Sequence, residues 1–315
     1  MSEPEAPIPQ AAASQRRSVL TTSAGTHLGA FTMLDWALFL SIGGIWGSSF
    51  LFIAIGLHAF EPGLVTWLRV CLGASVLWLV PAARQRLDRE DVPRLVALSV
   101  LWVAIPFTLF PLAEQRISSG LTGLLNGALP IFAVAIGSLM LRRLPGRTQA
   151  IGLTLGFMGI VAIAAPTIAE GSSAAIGVAM GLSATVCYGV AINIAAPLTQ
   201  RYGALPVMAR MLALASIWTS PIGLLSLRGS TFTWSSLMSV TALGVMGTGV
   251  AFVLMGRLVS RVGSTRASFA TYLIPVVALL LGTVFLSERV HVLSIVGIGL
   301  VILGAVIASR KEQPA

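Results

Sequence analysis

The sequence predicts an all-α integral membrane protein of ten transmembrane helices, arranged as two inverted repeats of five. Charge is scarce: 10% of the 315 residues are charged and 56% are hydrophobic, with a mean hydropathy of +0.91, whereas soluble domains carry roughly 25% charged residues. Apolar runs of the length that a hydrocarbon core of roughly 30 Å requires, about 20 residues each, recur ten times along the chain. The two halves of the chain also share a register of proline, glycine and arginine.

Residues 1–33, rich in Ala, Ser, Thr and Pro and without apolar periodicity, are expected to be a disordered cytoplasmic tail. Arg16 and Arg17 precede a stretch, Thr21 to Thr26, too polar for the apolar centre of a signal peptide, so no cleaved leader is expected. Runs bounded by charge, proline or glycine then place spans at 34–57, 64–83, 93–112, 118–141 and 149–166, and at 174–197, 204–226, 235–257, 263–286 and 291–309. Residues 34–166 thus hold the first five, 174–309 the second five, and 310–315 a short cytoplasmic C-terminal tail. Prolines and glycines inside several runs are compatible with bilayer helices whose neighbours satisfy the freed backbone groups.

Orientation follows from the basic residues. With a cytoplasmic N-terminus, one side holds Arg16, Arg17, Arg84, Arg86, Arg89, Arg94, Arg142, Arg143, Arg147, Arg201, Arg257, Arg261, Arg266, Arg310 and Lys311, fifteen in all, and the other Arg116, Arg228 and Arg289. Cytoplasmic loops collect Lys and Arg, so both termini are expected in the cytoplasm of a cell with the chain in its inner membrane, and the number of spans is even. This distribution accounts for the net charge of +9 and the isoelectric point near 11.1 without a nucleic-acid partner, whose phosphates would call for clustered cations. In the longest connector Arg84 and Asp88, and Arg86 and Glu90, fall four residues apart, the spacing of a short surface helix or of a solvated link.

Several chemistries are not expected. Cys71 and Cys187 lie in separate apolar runs without CxxC spacing, and His27, His58 and His291 form no cluster, so no disulfide, metal or cofactor is indicated. There is no phosphate-binding loop, which excludes direct ATP drive within this chain. Asp35, Glu61, Glu114, Glu170 and Glu288 fall at span ends or in loops, so a midplane carboxylate relay is not expected either.

A shift of 145 residues lays Phe107 on Phe252, Arg116 on Arg261, Pro130 on Pro275, Gly137 on Gly282, Gly152 on Gly297 and Gly159 on Gly304. Slightly shorter shifts bring Trp46-Gly47 over Tyr188-Gly189 and Arg69 over Arg210. With five spans in each copy, the second enters the membrane from the opposite side, and inverted repeats are typical of transporters that alternate access to a central site.

Trp46-Gly47-Ser48-Ser49-Phe50, Arg69, Leu129-Pro130-Ile131-Phe132, Pro275, Gly282, Glu288 and Gly297 together resemble the EamA-like transporters of the drug/metabolite transporter superfamily, over nearly all of residues 34–309. The resemblance implies two inverted EamA repeats in a bacterial inner membrane and, in many members, export of amino acids or other small metabolites. The chain departs from the pattern at Arg143, where the first repeat usually carries an acid like Glu288 of the second.

The candidate substrate residues are those whose polarity or helix-breaking character is out of place in a span. Arg69 and Arg210 enter from opposite faces, each about 7 Å deep at 1.5 Å per residue; they either serve a site or snorkel to headgroups. Pro130 and Pro275 interrupt matching helices, with Asn126 on one and Thr271 and Tyr272 on the other one turn earlier, and paired breaks point to a substrate site or to packing kinks. Trp46, Trp102 and Tyr188 add aromatic surface. Asn193 is a cavity residue or an interhelical hydrogen bond.

The expected protein is a secondary carrier of a small-molecule substrate, amino-acid-like or amphipathic, acting in the lipid bilayer as a monomer or homodimer, with export favoured by the resemblance. A nucleotide-sugar or lipid-linked carrier of the same superfamily would need a larger and more cationic cavity. A membrane-embedded enzyme would need a polar constellation within the spans, and a channel a repeated filter or charged ring; the sequence displays neither.

Overall fold

The computed structural model describes residues 30–142 and 146–308. Residues 1–29 of the expected N-terminal tail (1–33), the whole expected C-terminal tail (310–315) and Arg143 lie outside the described residues. The described chain is helical and contains no β-strand. Its main helices are α1 (Met33–Leu57), α2 (Pro62–Trp78), α3 (Arg89–Glu114), α4 (Ser119–Met140), α5 (Arg147–Ile168), α6 (Ser172–Tyr202), α7 (Ala204–Ser226), α8 (Trp234–Val262), α9 (Ser264–Leu286) and α10 (Val292–Ala308). Eight of them are long and apolar enough to cross a membrane; α2 and α10 are apolar and 17 residues long.

Several helices outrun the apolar runs that predicted them. α6 and α8 carry Arg201 and Arg261 in their last turns, because an arginine at a span end keeps helical backbone while its head reaches polar surroundings. α2 stops earlier than expected, at Trp78, since Pro81 opens a 3₁₀ turn, Pro81–Arg84. α1 begins at a capping box: the Thr32 hydroxyl accepts from the Asp35 N–H at 3.3 Å, and the Asp35 carboxylate accepts from the Thr32 N–H at 2.9 Å.

Four irregularities repeat in register. α3 widens to a π-helix at Ser99–Ala104 and α8 at Leu243–Val250. α4 breaks at Gly127 and resumes at Leu129 just before Pro130, while α9 tightens to 3₁₀ at Phe269–Tyr272 just before Pro275. Proline is tolerated in the first turn of the resumed helix, where no intrahelical donor is needed.

The packing follows the same two-fold order. α1 lies on α8 and α9, and its counterpart α6 on α3 and α4; α2 meets α8 as α7 meets α3; and α2–α7, α4–α9 and α5–α10 pair across the repeats. Gly152 of α5 abuts Gly304 of α10, and Gly159 abuts Gly297, so the backbones run antiparallel in close contact. Each glycine thereby meets the counterpart of the other, the self-complementary pattern of a two-fold axis. With no hydrophobic drive between helices in lipid, such close van der Waals approach holds them together.

Candidate functional site

A small cavity of about 30 Å³ lies between the repeats, lined by Trp46, Ser49, Phe50 and Ile53 of α1, Arg69 of α2, Phe107 and Phe110 of α3, Asn126 of α4 and Tyr188 of α6. Trp46 and Tyr188, counterparts in the repeat, thus face one space. Arg69 is 3% exposed. Its Nε donates to the Thr248 hydroxyl at 3.2 Å, and the guanidinium lies 3.7 Å from the centre of the Phe107 ring, a cation–π contact in a desolvated setting. Among the described residues its two terminal nitrogens have no acceptor.

The π-widened part of α8 holds both ends of this arrangement. Its turn frees carbonyls from the ordinary helical pattern: Gly247 accepts from the Trp46 indole at 3.0 Å, and the Leu243 carbonyl accepts from the Thr248 hydroxyl, also at 3.0 Å. The rings close the cavity, Phe50 edge-on to Phe110 at 5.5 Å and Tyr188 tilted against it at 5.6 Å.

Directly above, at the end of the bundle away from the basic loops, two wider cavities of about 750 Å³ and 620 Å³ form a vestibule. Ile53 faces the small cavity and its neighbour Ala54 the vestibule, so the two spaces are one residue apart along α1. Glu114, Arg116 and Glu288 border both wide cavities. Glu288 is spent on structure: its carboxylate accepts from the Ser119 N–H and hydroxyl and from the Gly120 N–H, each at 2.8 Å, capping α4 from the far end of α9. Glu114 differs. Both its oxygens are buried and have no hydrogen-bond partner among the described residues.

Glu114 is the residue that sequence reasoning missed. As the last residue of α3 it reads as a span end, yet it continues the face of Phe107 and Phe110, three and four residues apart, that lines the small cavity. That helical spacing was the available signal. The expectation concerned carboxylates at midplane; Glu114 lies at a span end, as expected there, but its oxygens are buried instead of meeting water.

Of the expected residues, Trp46, Arg69, Asn126 and Tyr188 meet at the cavity; the Asn126 side-chain oxygen is buried without a partner. Trp102 does not line it, packing instead on Phe252 at 5.3 Å. Asn193 is an interhelical bond, donating to the carbonyls of Ala133 and Gly189 at 3.0 Å and 2.9 Å and accepting from Ser264 at 3.1 Å. Arg210 turns to the basic end and donates to the carbonyls of Ala83 and Arg84 at 2.7 Å and 3.2 Å.

The paired breaks do not form facing cavity walls in this conformation. They pack on each other, Gly127 against the Pro275 ring, because α4 and α9 are direct neighbours. Pro130 is buried in α4, Thr271 donates to the Ser268 carbonyl at 2.7 Å, and Tyr272 stacks on Phe269 with its hydroxyl buried. In the longest connector residues 85–88 are not helical, and Asp88 bonds Arg201 rather than Arg84.

Two helical repeats with a cavity holding Arg69 and Asn126 between them are the architecture of a membrane transporter. The chain belongs to the EamA-like transporter family, which matches residues 34–165 and 175–310. It is 25% identical over 280 residues to an uncharacterized transporter of Archaeoglobus fulgidus, covering 89% of this chain and 100% of that one. It is also 25% identical to a probable terminal-alkyne amino-acid exporter of Streptantibioticus cattleyicolor, over 88% of this chain and 93% of the relative, and to a probable amino-acid metabolite efflux pump of Escherichia coli, over 86% and 93%. A solved crystal structure shares the fold at a TM-score of 0.59 and 18% identity, covering 87% of this chain and 96% of the other.

Proposed function

We propose that the protein is a secondary exporter of small amino-acid-like metabolites that works by alternating access, with ten spans and both termini in the cytoplasm. The observation that carries this reading is Arg69: a guanidinium held by Thr248 and Phe107, with its terminal nitrogens free toward a cavity between the repeats. Such a fork suits one planar carboxylate. A single inward arginine and a small cavity favour a monoanionic or zwitterionic substrate over a nucleotide diphosphate. Relatives named for amino-acid export support the same choice.

The two short helices fit ten spans, since 17 residues reach about 25 Å and lie at the lower limit for crossing a bilayer. The basic end faces the cytoplasm by the excess of arginine there, so the vestibule opens outward. In proteoliposomes loaded with each of the common amino acids in turn, counterflow of the labelled compound is expected for at least one of them, and Arg69→Ala lowers it sharply. Counterflow of a nucleotide sugar with none of any amino acid would overturn the reading.

A further inference from the structure

Glu114 has no structural duty that accounts for its position. Its carboxylate oxygens are buried and accept no hydrogen bond from any described residue, whereas Glu288 of the same vestibule is held by three donors and Glu170 lies against His291. Among the described residues no cation pairs with Glu114, although Arg69 is near enough to interact with it through space. An ionised carboxylate without donors in a poorly solvated wall is costly. It is stabilised by whatever neutralises it, and the smallest such species is a proton. Two cavities with water access border the residue, so a proton can reach it from outside. Along α3 it stands about 10 Å from Phe107, the ring beneath Arg69.

We infer that Glu114 is the proton-exchanging carboxylate of the transport cycle, an inference that rests on the export reading above and adds a coupling ion to it. With the vestibule open, a proton passes from a hydronium ion to a Glu114 oxygen, leaving water. When the site faces the basic end the proton returns to water there, and substrate moves the other way. The charged and titratable groups around Glu114 are Arg69 from α2, itself beside Tyr188 of α6, Glu288 beyond α9, and His58 beyond α1. Arg116 follows it on its own chain. Intramembrane acids that take this part in proton-driven carriers are a general solution to the same cost.

Two measurements on the full chain in lipid test the proposal. Infrared difference spectra on a pH jump need no substrate: wild type should show the carbonyl band of a protonated carboxylic acid, Glu114→Gln should lose it, and Glu288→Gln should keep it. A band unaffected by Glu114→Gln overturns the assignment even where no amino acid is transported, a result that would sink the export reading alone. In vesicles containing a trapped pH dye and supplied with the common amino acids, wild type should move protons against substrate. Glu114→Gln should keep equal-pH counterflow within about threefold, or 0.7 kcal/mol, and lose proton movement. Retained proton movement overturns the inference; so does joint loss of counterflow, which would make the carboxylate a partner of the substrate's ammonium. Should Glu114→Gln not fold, Glu114→Asp decides: a displaced pH profile supports the role and an unchanged one refutes it.

Discussion

The two ends of the bundle are held by different chemistry. At the basic end, charged groups cross between the repeats: Asp35 of α1 accepts from the Arg261 guanidinium of α8 at 2.6 Å, Asp88 pairs with Arg201, and fully buried Asp91 accepts from Arg94, Arg201 and the Tyr202 hydroxyl at 3.1, 3.0 and 2.7 Å. Arg210 adds a clamp on the carbonyls after α2. At the other end the repeats part around wide cavities, and the crossing ion contact is between half-exposed Glu170 and His291. A carrier that alternates must trade one arrangement for the other, and the bonds that hold one end shut set the cost of opening it.

The largest effect is expected where three donors share one buried acceptor. Asp91→Ala takes the buried acceptor from Arg94, Arg201 and Tyr202, leaving Arg201 its bond to Asp88, and loss of one partner from a buried ion pair costs about 3–5 kcal/mol. Thiol labelling reads the shift in a chain lacking Cys71 and Cys187: a cysteine at Thr271, buried on the closed side, should gain reactivity, and one at Asn126, on the cavity wall, should lose it. Unchanged reactivity at both would show that these bonds stabilise the fold and do not set its opening.

Next comes the contrast between the two intramembrane arginines. Arg69→Ala removes a charge-assisted bond worth about 2 kcal/mol, a loss of roughly thirtyfold in transport, with Arg69→Lys less damaged because it keeps the charge but not the fork. Arg210→Ala should lower transport less, since its donors end on loop carbonyls at the basic end. Equal loss from both would break the distinction between site and clamp.

That contrast also marks what the sequence can say. The helical architecture was legible because so few charges cannot clothe a soluble surface, and the register of 145 was legible because close-packed glycines and broken helices recur where the fold recurs. Trp46 and Tyr188 came with the register. Arg69 and Arg210 occupy equivalent depths, and nothing local tells them apart; the difference lies in distant partners, Thr248 for one and the carbonyls after Trp78 for the other. Glu114 was hidden by its place at a helix end, because whether a terminal carboxylate meets water or protein depends on helices far away in sequence. Asp88 likewise chose Arg201 over its neighbours, since the Arg201 guanidinium, fixed by its second bond to buried Asp91, is presented to it while residues 85–88 form no helix that would align Arg84.

Between the two ends, the repeats are joined by the glycine contact of α5 and α10, which should respond to volume and not to charge. A methyl group at Gly152 would overlap the backbone of Gly304 and Ala308, whereas at Gly44 it would meet open space. Gly152→Ala should therefore cost about 1–3 kcal/mol through overpacking, seen as a lower unfolding temperature, with Gly44→Ala near neutral. Equal melting of the two variants would mean that the helices can separate without penalty.

The smallest effect belongs to the open end. Glu170 and His291 approach to 3.2 Å, but their side chains are 57% and 54% exposed, and the contact carries a full charge pair when the imidazole is protonated. Water screens such a pair and both side chains lose rotamer freedom in making it, so exposed ion pairs contribute about 0–1 kcal/mol. Asp91, with no exposure, has neither water nor alternatives. Glu170→Gln should leave the unfolding temperature and the thiol reactivity at Asn126 close to wild type, whereas Asp91→Ala moves both. The comparison sharpens if the vestibule variant is silent at every pH tested. It breaks if Glu170→Gln closes the vestibule to thiol reagents or lowers stability as far as Asp91→Ala does, for then a solvent-exposed contact would be holding the open end as firmly as buried charges hold the closed one.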